Sequence, residues 1–186
     1  MLIQTTLPSV KTPNLLLREF QETDVRDLAG FMMQPRYQRF ITHRLRSESE
    51  VKAFIARQLA AQNDRRRHVF HMAAEERHSN EVVGDGFLIS QNENKFEIGW
   101  GMHPALWQAG FGTEIGQALI GIAFERLKAK TVWCKIMKPN RASAALAMRV
   151  GMKLVTTTED MNLGQGRFED VEFYSLDAEG YFDAPY

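Results

Sequence analysis

Apolar positions along this chain follow two periods, and these divide it into strands and helices. Leu15-Leu16-Leu17-Arg18-Glu19-Phe20, behind Pro13-Asn14, reads as a first strand. Thr23 then caps a helix whose apolar positions Val25, Leu28, Ala29 and Met32 recur at helical spacing; Pro35 ends it. A second helix opens at Ser47, where Ser47 and Glu50 form an S-x-x-E capping box. Val51, Phe54, Ile55 and Leu59 mark its inner face. His68–Ala74, Val82–Gln91 and Lys95–Met102 read as three strands. The polar turns Glu75–Asn80 and Asn92-Glu93-Asn94 between them are short enough for an antiparallel meander. Apolar residues next cover most of the circumference of a helix from Gly112 to Lys128, which predicts deep burial. Thr131–Met137 is a β-branched and aromatic strand, and Pro139-Asn140 starts a helix that Gly151 ends. Val155–Thr158 and Glu169–Leu176 read as a closing pair of strands. The order β-α-α-β-β-β-α-β-α-β-β predicts one α/β domain over 1–186, a mixed central sheet with helices on both faces. Its core spans about 12–176, with an acidic tail at 177–186.

Composition narrows the class. With 186 residues, 44% hydrophobic and 25% charged, the chain has the make-up of a globular domain. Lys+Arg and Asp+Glu are 23 each, so no global field argues for a nucleic-acid or membrane-surface partner. No apolar run is long enough to span a bilayer, and Met1–Thr5 lack the look of a secretory leader, so a cytoplasmic setting is expected. Arg65-Arg66-Arg67 reads as a basic loop. Cys134 is the sole cysteine and the histidines follow no ligand spacing, so no metal site is expected. Charge is uneven locally. Ala123–Lys153 carries eight basic residues against Glu125, and Glu159–Tyr186 carries eight acids against Arg167. Such blocks are either solvated faces or fields for two ligands of opposite sign.

Candidate chemistry concentrates at Gly99–Glu114, where a strand runs into a glycine-containing loop that opens the buried helix. Free N–H groups at a helix start and the helix dipole together make an anion cradle. Gly110-x-Gly112 alone would equally suit a plain turn. The P-loop pattern is absent, since no Gly-Lys-Ser/Thr occurs. The dinucleotide pattern places its third glycine one position earlier than Gly116, and Thr131–Lys138 lacks the acid it requires.

A third pattern fits better. Trp107-Gln108-Ala109-Gly110-Phe111-Gly112 resembles the acetyl-coenzyme A loop of the GNAT superfamily, [Q/R]-x-x-G-x-[G/A], with Trp107 at the first position. The branch of ribosomal-protein N-terminal (alanine/serine) acetyltransferases commonly has Trp there. Its pattern, like E-I-G-Y-W-L-x-P-x-x-W-G-x-G-Y-A-T-E, holds register from Glu97 to Glu114 without a gap. Asn140-Arg-Ala-Ser143 followed by Gly151-Met152 resembles the same branch's N-x-x-S and G-F, with Met152 replacing Phe. Leu15 to Asp24 is similar to its L-x-L-R-x-x-x-x-x-D opening.

The resemblance implies a GNAT-type acyl-CoA N-acyltransferase fold and direct transfer from acetyl-CoA, the co-substrate, to an amine. The acceptor would be a peptide N-terminus, a polyamine or another small amine, and a homodimer is a common arrangement in the family. The pantetheine would lie between Lys95–Met102 and Thr131–Met137, with the Met102 N–H facing the thioester oxygen. Trp107 and the N–H groups of Gln108, Ala109, Gly110, Phe111, Gly112 and Thr113 would hold the pyrophosphate, with Lys138, Arg141 and Arg149 adding charge. Glu97 is the candidate base and His103 its rival; a glutamate on a solvated strand face is the alternative for Glu97. Many members carry a proton-donating Tyr where this chain has Ala147, which makes Ser143 the candidate acid. Asn140 would cap the helix and contact the pantetheine. Cys134 is expected to be buried and unreactive. A domain that binds acyl-CoA without catalysis is the alternative function, and an NADP-type protein a more remote one.

Overall fold

The computed structural model describes residues 7–64, 66–91 and 94–183; the readings above that fall on Met1–Thr5, Arg65, Asn92, Glu93 or residues 184–186 lie outside the described residues. Eight strands and six α-helices alternate along it: β1 (Val10–Lys11), β2 (Leu15–Glu19), α1 (Val25–Met32), α2 (Pro35–Gln38), α3 (Glu48–Gln62), β3 (Val69–Glu76), β4 (Val82–Ser90), β5 (Lys95–Met102), α4 (Phe111–Gly121), β6 (Thr131–Met137), α5 (Arg141–Arg149), β7 (Lys153–Asn162), β8 (Phe168–Asp177) and α6 (Ala178–Phe182). The strands form one mixed sheet in the order β1-β2-β3-β4-β5-β6-β8-β7. β1 to β5 are an antiparallel meander, β5 and β6 run parallel, and β8 lies antiparallel between β6 and β7.

The period-two pattern sorts residues onto the two faces. Phe70, Met72, Ala74, Leu88, Phe96 and Ile98 join the larger core with Ile115, Leu119 and Ala147 under α4 and α5. Ala73 joins a smaller core with Phe20, Leu28, Phe31, Val51 and Ile55 under α1 and α3. Gly86 faces α4, and a Cβ there would lie 2.9 Å from Leu119 Cδ1. The missing side chain lets α4 rest directly on β4, which fixes where its N-terminus points. Truncating Leu119, fully buried at this contact, would cost about 2–5 kcal/mol.

Several local readings change. Asp24, not Thr23, organises the first helical start: its carboxylate accepts the Gln21 N–H at 2.8 Å and pairs with Arg18 Nη2 at 2.8 Å. Pro35 ends α1 and also opens α2 at a position where its missing N–H costs nothing. Ser47 caps α3 as expected, accepting from Glu50 N at 3.3 Å, but the Glu50 carboxylate accepts instead from Arg46 N at 2.7 Å. Arg67 is buried rather than part of a solvated loop, its Nη1 2.6 Å from Glu19 Oε1. α4 ends in a widened π-turn over Ile122–Arg126. β7 is more than twice the length expected, and exposed nearly throughout. The tail folds as α6, whose Asp177 side chain accepts the Gly180 N–H at 2.7 Å.

Candidate active site

The parallel pairing of β5 and β6 covers three positions, Lys95↔Thr131 to Glu97↔Trp133. Beyond it each strand keeps its outer partner: β5 stays on β4 as far as Met102↔Gly84, and β6 stays on β8 as far as Met137↔Val171. Both outer ladders are intact, so the parting is a built gap rather than fraying. The inner edges beyond Glu97 and Trp133 therefore offer backbone N–H and C=O groups to whatever enters, which suits an extended ligand with amides of its own.

Two helix starts guard the mouth. After Met102, Pro104–Leu106 makes a single 3₁₀ turn, with His103 Nδ1 accepting the Ala105 N–H at 3.0 Å. The Trp107 indole donates to Met102 O at 3.0 Å, and the Arg36 guanidinium lies 5.0 Å over its ring. Gln108 and Gly110 both take left-handed φ, 72° and 89°, which turns the chain into α4. Gly110 stands at the cap position without a side-chain cap, so the Phe111 and Gly112 N–H groups have no helix partner, while the Thr113 N–H donates to Gly110 O at 2.9 Å. A Cβ on Gly110 would meet nothing within 4 Å, leaving room for a ligand. Gly112 differs: a Cβ there would lie 2.7 Å from Leu146 Cδ1, so this glycine admits α5 against α4. Phe111 is half-buried against the larger core, while Gln108 and Ala109 are exposed.

The neighbouring charges sort themselves. The Glu114 carboxylate, in the first turn of α4, accepts from the Thr12 hydroxyl, from Asn14 N at 3.0 Å and from Asn14 Nδ2 at 2.6 Å. Burial would raise its pKa, but these hydrogen bonds outweigh burial and hold it below the usual value. Of the three cations expected near the loop, Lys138 pairs with Asp170 at 3.0 Å and Arg141 with Glu172 at 3.2 Å. Arg149 alone of the three reaches α4, donating to Thr113 Oγ1 at 3.3 Å.

Across the mouth Asn140 caps α5, its Oδ1 accepting the Ser143 N–H at 3.3 Å. Ser143 is half-buried in that first turn. Glu97 is buried, not on a solvated face, and lies 3.1 Å from Lys135 Nζ. It occupies the closed end of the gap, whereas Met102 occupies the open end. Five residues of strand separate them by about 17 Å, so a single reacting carbon does not touch both. His103 is tied into its turn and lies against Phe31. Burial, and then the Glu97 charge, push the Cys134 thiol up to about 12, which leaves it unreactive.

One cluster escaped the sequence reading. Asp85 is buried in β4 directly across from Gly101 of β5. Tyr37 Oη donates to Asp85 Oδ1 at 2.8 Å, and His71 Nε2 lies 2.7 Å from Asp85 Oδ2. A side chain on Gly101 would overlap both Tyr37 Oη and Asp85 Oδ1. Burial and the neighbouring carboxylate push the Tyr37 phenol well above its ordinary pKa. The cluster fastens α2 over the end of β5, on the face opposite α4. An aspartate inside the apolar run Val82–Ile89 was its one sequence signal, since a buried carboxylate needs partners.

Among the described residues no three His, Cys, Asp or Glu side chains gather into a metal-binding group, and no helix is long and apolar enough to cross a membrane. A splayed parallel pair with an uncapped, glycine-opened helix at its mouth defines a recognised class. The family model for the acetyltransferase (GNAT) domain matches residues 14–153, and the chain belongs to that family. It is 22% identical over 171 residues to the uncharacterized N-acetyltransferase YoaA of Bacillus subtilis, a match covering 91% of this chain and 96% of YoaA. The fold is similar to a GNAT-family acetyltransferase from Bacillus anthracis, with TM-score 0.82, 17% identity, and coverage of 92% of this chain and 99% of that one. It is also similar to RimL, a ribosomal L7/L12 alpha-N-protein acetyltransferase in complex with coenzyme A. There the TM-score is 0.78 at 18% identity, covering 93% of this chain and 99% of that one.

Proposed function

We propose that this acetyltransferase moves an acetyl group from acetyl-CoA directly to a primary amine in the cytoplasm. The observation that carries the reading is the gap between β5 and β6, open beyond Glu97↔Trp133 and facing the uncapped start of α4. Backbone groups of Ile98–Met102 would pair with the pantetheine amides. The α4 start from Gln108 to Thr113, with Trp107 beside it and Arg149 behind it, would hold the pyrophosphate.

In the reaction the amine nitrogen bonds to the thioester carbon and the C–S bond breaks. The Met102 N–H would stabilise the charge developing on the carbonyl oxygen. Glu97 would accept the amine's proton through intervening water, because it stands too far down the strand for direct contact. Ser143, in the first turn of α5, would return a proton to the departing thiolate, and Asn140 would hold that turn in place. An α-amine, with a reference pKa of about 7.7–8.0 against about 10.4 for lysine, asks less of such a base. The RimL likeness supports peptide N-termini among the acceptors, without excluding small amines. Pairing of two chains is the proposed assembly and is read by sedimentation.

Calorimetry with acetyl-CoA, CoA and NADPH, followed by thiol release on an amine panel, tests the reading. Binding of both CoA species with amine-dependent thiol release is expected. Binding without turnover would leave a non-catalytic acyl-CoA domain, and NADPH binding alone would sink both. Ser143→Ala should lower kcat about a hundredfold or more with CoA affinity intact. Glu97→Gln should lower turnover chiefly on the acidic side of the profile, where the amine keeps its proton.

A further inference from the structure

The acidic stretch Glu159–Tyr186 reads either as a solvated face or as a field for a cationic acceptor, and much of it is already engaged. Asp170 binds Lys138, Glu169 binds Arg167 at 3.1 Å, and Glu172 accepts from Arg141 at 3.2 Å and from Tyr174 Oη at 2.7 Å. The open cavity on that side has the opposite lining. It encloses about 480 Å³ between the segment joining α2 to α3 and the β7–β8 turn. Arg44, Arg46 and Arg167 line it against the single carboxylate of Glu50, with Ile41 and Leu163 as apolar walls.

Two of those guanidinium groups are unpaired. Among the described residues neither Arg44 nor Arg46 has a carboxylate within ion-pair distance; Glu50 is turned to the Arg46 backbone N–H. Arg167 carries its own counter-ion, Glu169, and has a bridging role. Its Nη2 donates to Arg39 O at 3.3 Å and lies 3.1 Å from Met137 Sδ, at the end of β6. The segment that supplies Arg44 and Arg46 begins at α2, where Arg36 covers Trp107 and Tyr37 covers Gly101. The cavity is thus tied at both walls to the mouth of the gap between β5 and β6. Its α2 wall starts from Tyr37, which packs on the face opposite α4.

We propose that this cavity recognises an oxyanion on the acceptor, so that the preferred substrate is an amine bearing a carboxylate rather than a second amine. The assignment rests on the acetyl-transfer reading above and supplies its acceptor class. Two unpaired guanidinium groups present forks that match carboxylate geometry, and with the third they oppose a second positive charge. An acidic residue next to a peptide's N-terminus and a small ω-amino acid present the same chemistry.

Two acceptor sets, each an acid with its isosteric amide and a cationic analogue, separate charge from size and source. One is 5-aminopentanoate, its amide, and 1,5-diaminopentane. The other is the dipeptide amides Ala-Glu, Ala-Gln and Ala-Lys. Thiol release gives kcat/KM for each, and calorimetry on the CoA-bound protein gives affinity independently of turnover. In at least one set the carboxylate should exceed the neutral amide by roughly five- to tenfold, and the cation should rank last. Raising the salt from 0.05 to 0.5 M, a shortening of the Debye length to about 4 Å, should compress that order. The set that shows the order identifies the source. The double variant Arg44→Gln, Arg46→Gln should bring the carboxylate down to the level of the amide, and Arg44→Lys, Arg46→Lys should restore part of the preference. Equal affinity across both sets, preference for the cation, or a preference that survives the Gln variant would overturn the cavity's role while leaving acetyl transfer intact. Failure of the protein to bind acetyl-CoA would overturn the transfer reading itself, a separate result.

Discussion

The two sides of the site are built from different materials. On the proposed co-substrate side the working groups would belong to the backbone: the parted edges of β5 and β6 and the first turn of α4. On the proposed acceptor side they would be side chains drawn from distant parts of the chain: Arg44, Arg46 and Arg167 lining the cavity, with the Tyr37–Asp85–His71 cluster holding α2 beside it. A backbone site depends on a few residues that permit a conformation. A side-chain site depends on packing that brings several segments together, so it varies more freely within one fold.

The largest test of this contrast compares two glycines two residues apart. Gly110→Asp places a charge and a Cβ at φ 89°, where no protein atom lies within 4 Å. Acetyl-CoA affinity should fall by on the order of tenfold to a hundredfold by calorimetry, with the fold retained. Gly112→Ala should do the reverse, lowering the melting temperature through its 2.7 Å approach to Leu146 while affinity changes little. If both variants lose affinity equally, the loop's glycines do not divide their work in this way.

A smaller effect is expected on the acceptor side. Asp85→Ala removes the shared partner of Tyr37 and His71 and should cost about 2–3 kcal/mol by denaturant unfolding. Acetyl-CoA affinity of the folded protein should fall far less than in Gly110→Asp, because the cluster meets the co-substrate edge only at Gly101 and touches no group of the α4 loop. A parallel loss of affinity would show that the two sides are coupled.

The smallest effect concerns Glu114. Its carboxyl is held below the ordinary value, so its stabilisation is present above the unfolded pKa and is lost as pH falls through the folded one. Glu114→Gln should therefore melt below wild type at neutral pH, and the two curves should converge in the acid range. A gap that does not narrow with acid would mean that the charge is irrelevant to the contact.

The same contrast explains what could be read in advance. The strand–loop–helix run from Lys95 to Gly121 and the Asn140 cap are local patterns, and local patterns appear in sequence. The splay of Lys95–Met102 from Thr131–Met137 was implied by the family resemblance alone; where it opens, after three pairings at Lys95–Glu97, depends on how β4 and β8 hold the outer edges. Glu97 looked like a solvated strand residue or a base, and only the Lys135 contact and its burial reveal what surrounds it. The charge blocks left two readings open for a related reason. Position along the chain says nothing about partners such as Lys138 for Asp170, and the cavity's arginines come from outside the basic block. The short β1, the extra length of β7 and α6 in the tail rest on tertiary pairing rather than on any strong local preference.

The brevity of the β5–β6 ladder has a consequence for the protein's survival. Three residue pairs stitch the five-stranded half of the sheet to the three-stranded half, with α4 and α5 packed beneath the seam. A ligand that lies in the gap and bonds to both edges acts as a missing strand, and its binding free energy adds to the stability of the whole. Proteases that cut transiently opened chains sample this equilibrium. The half-life of the enzyme under digestion would then lengthen with the concentration of its own co-substrate, making its abundance a slow record of acetyl-CoA supply.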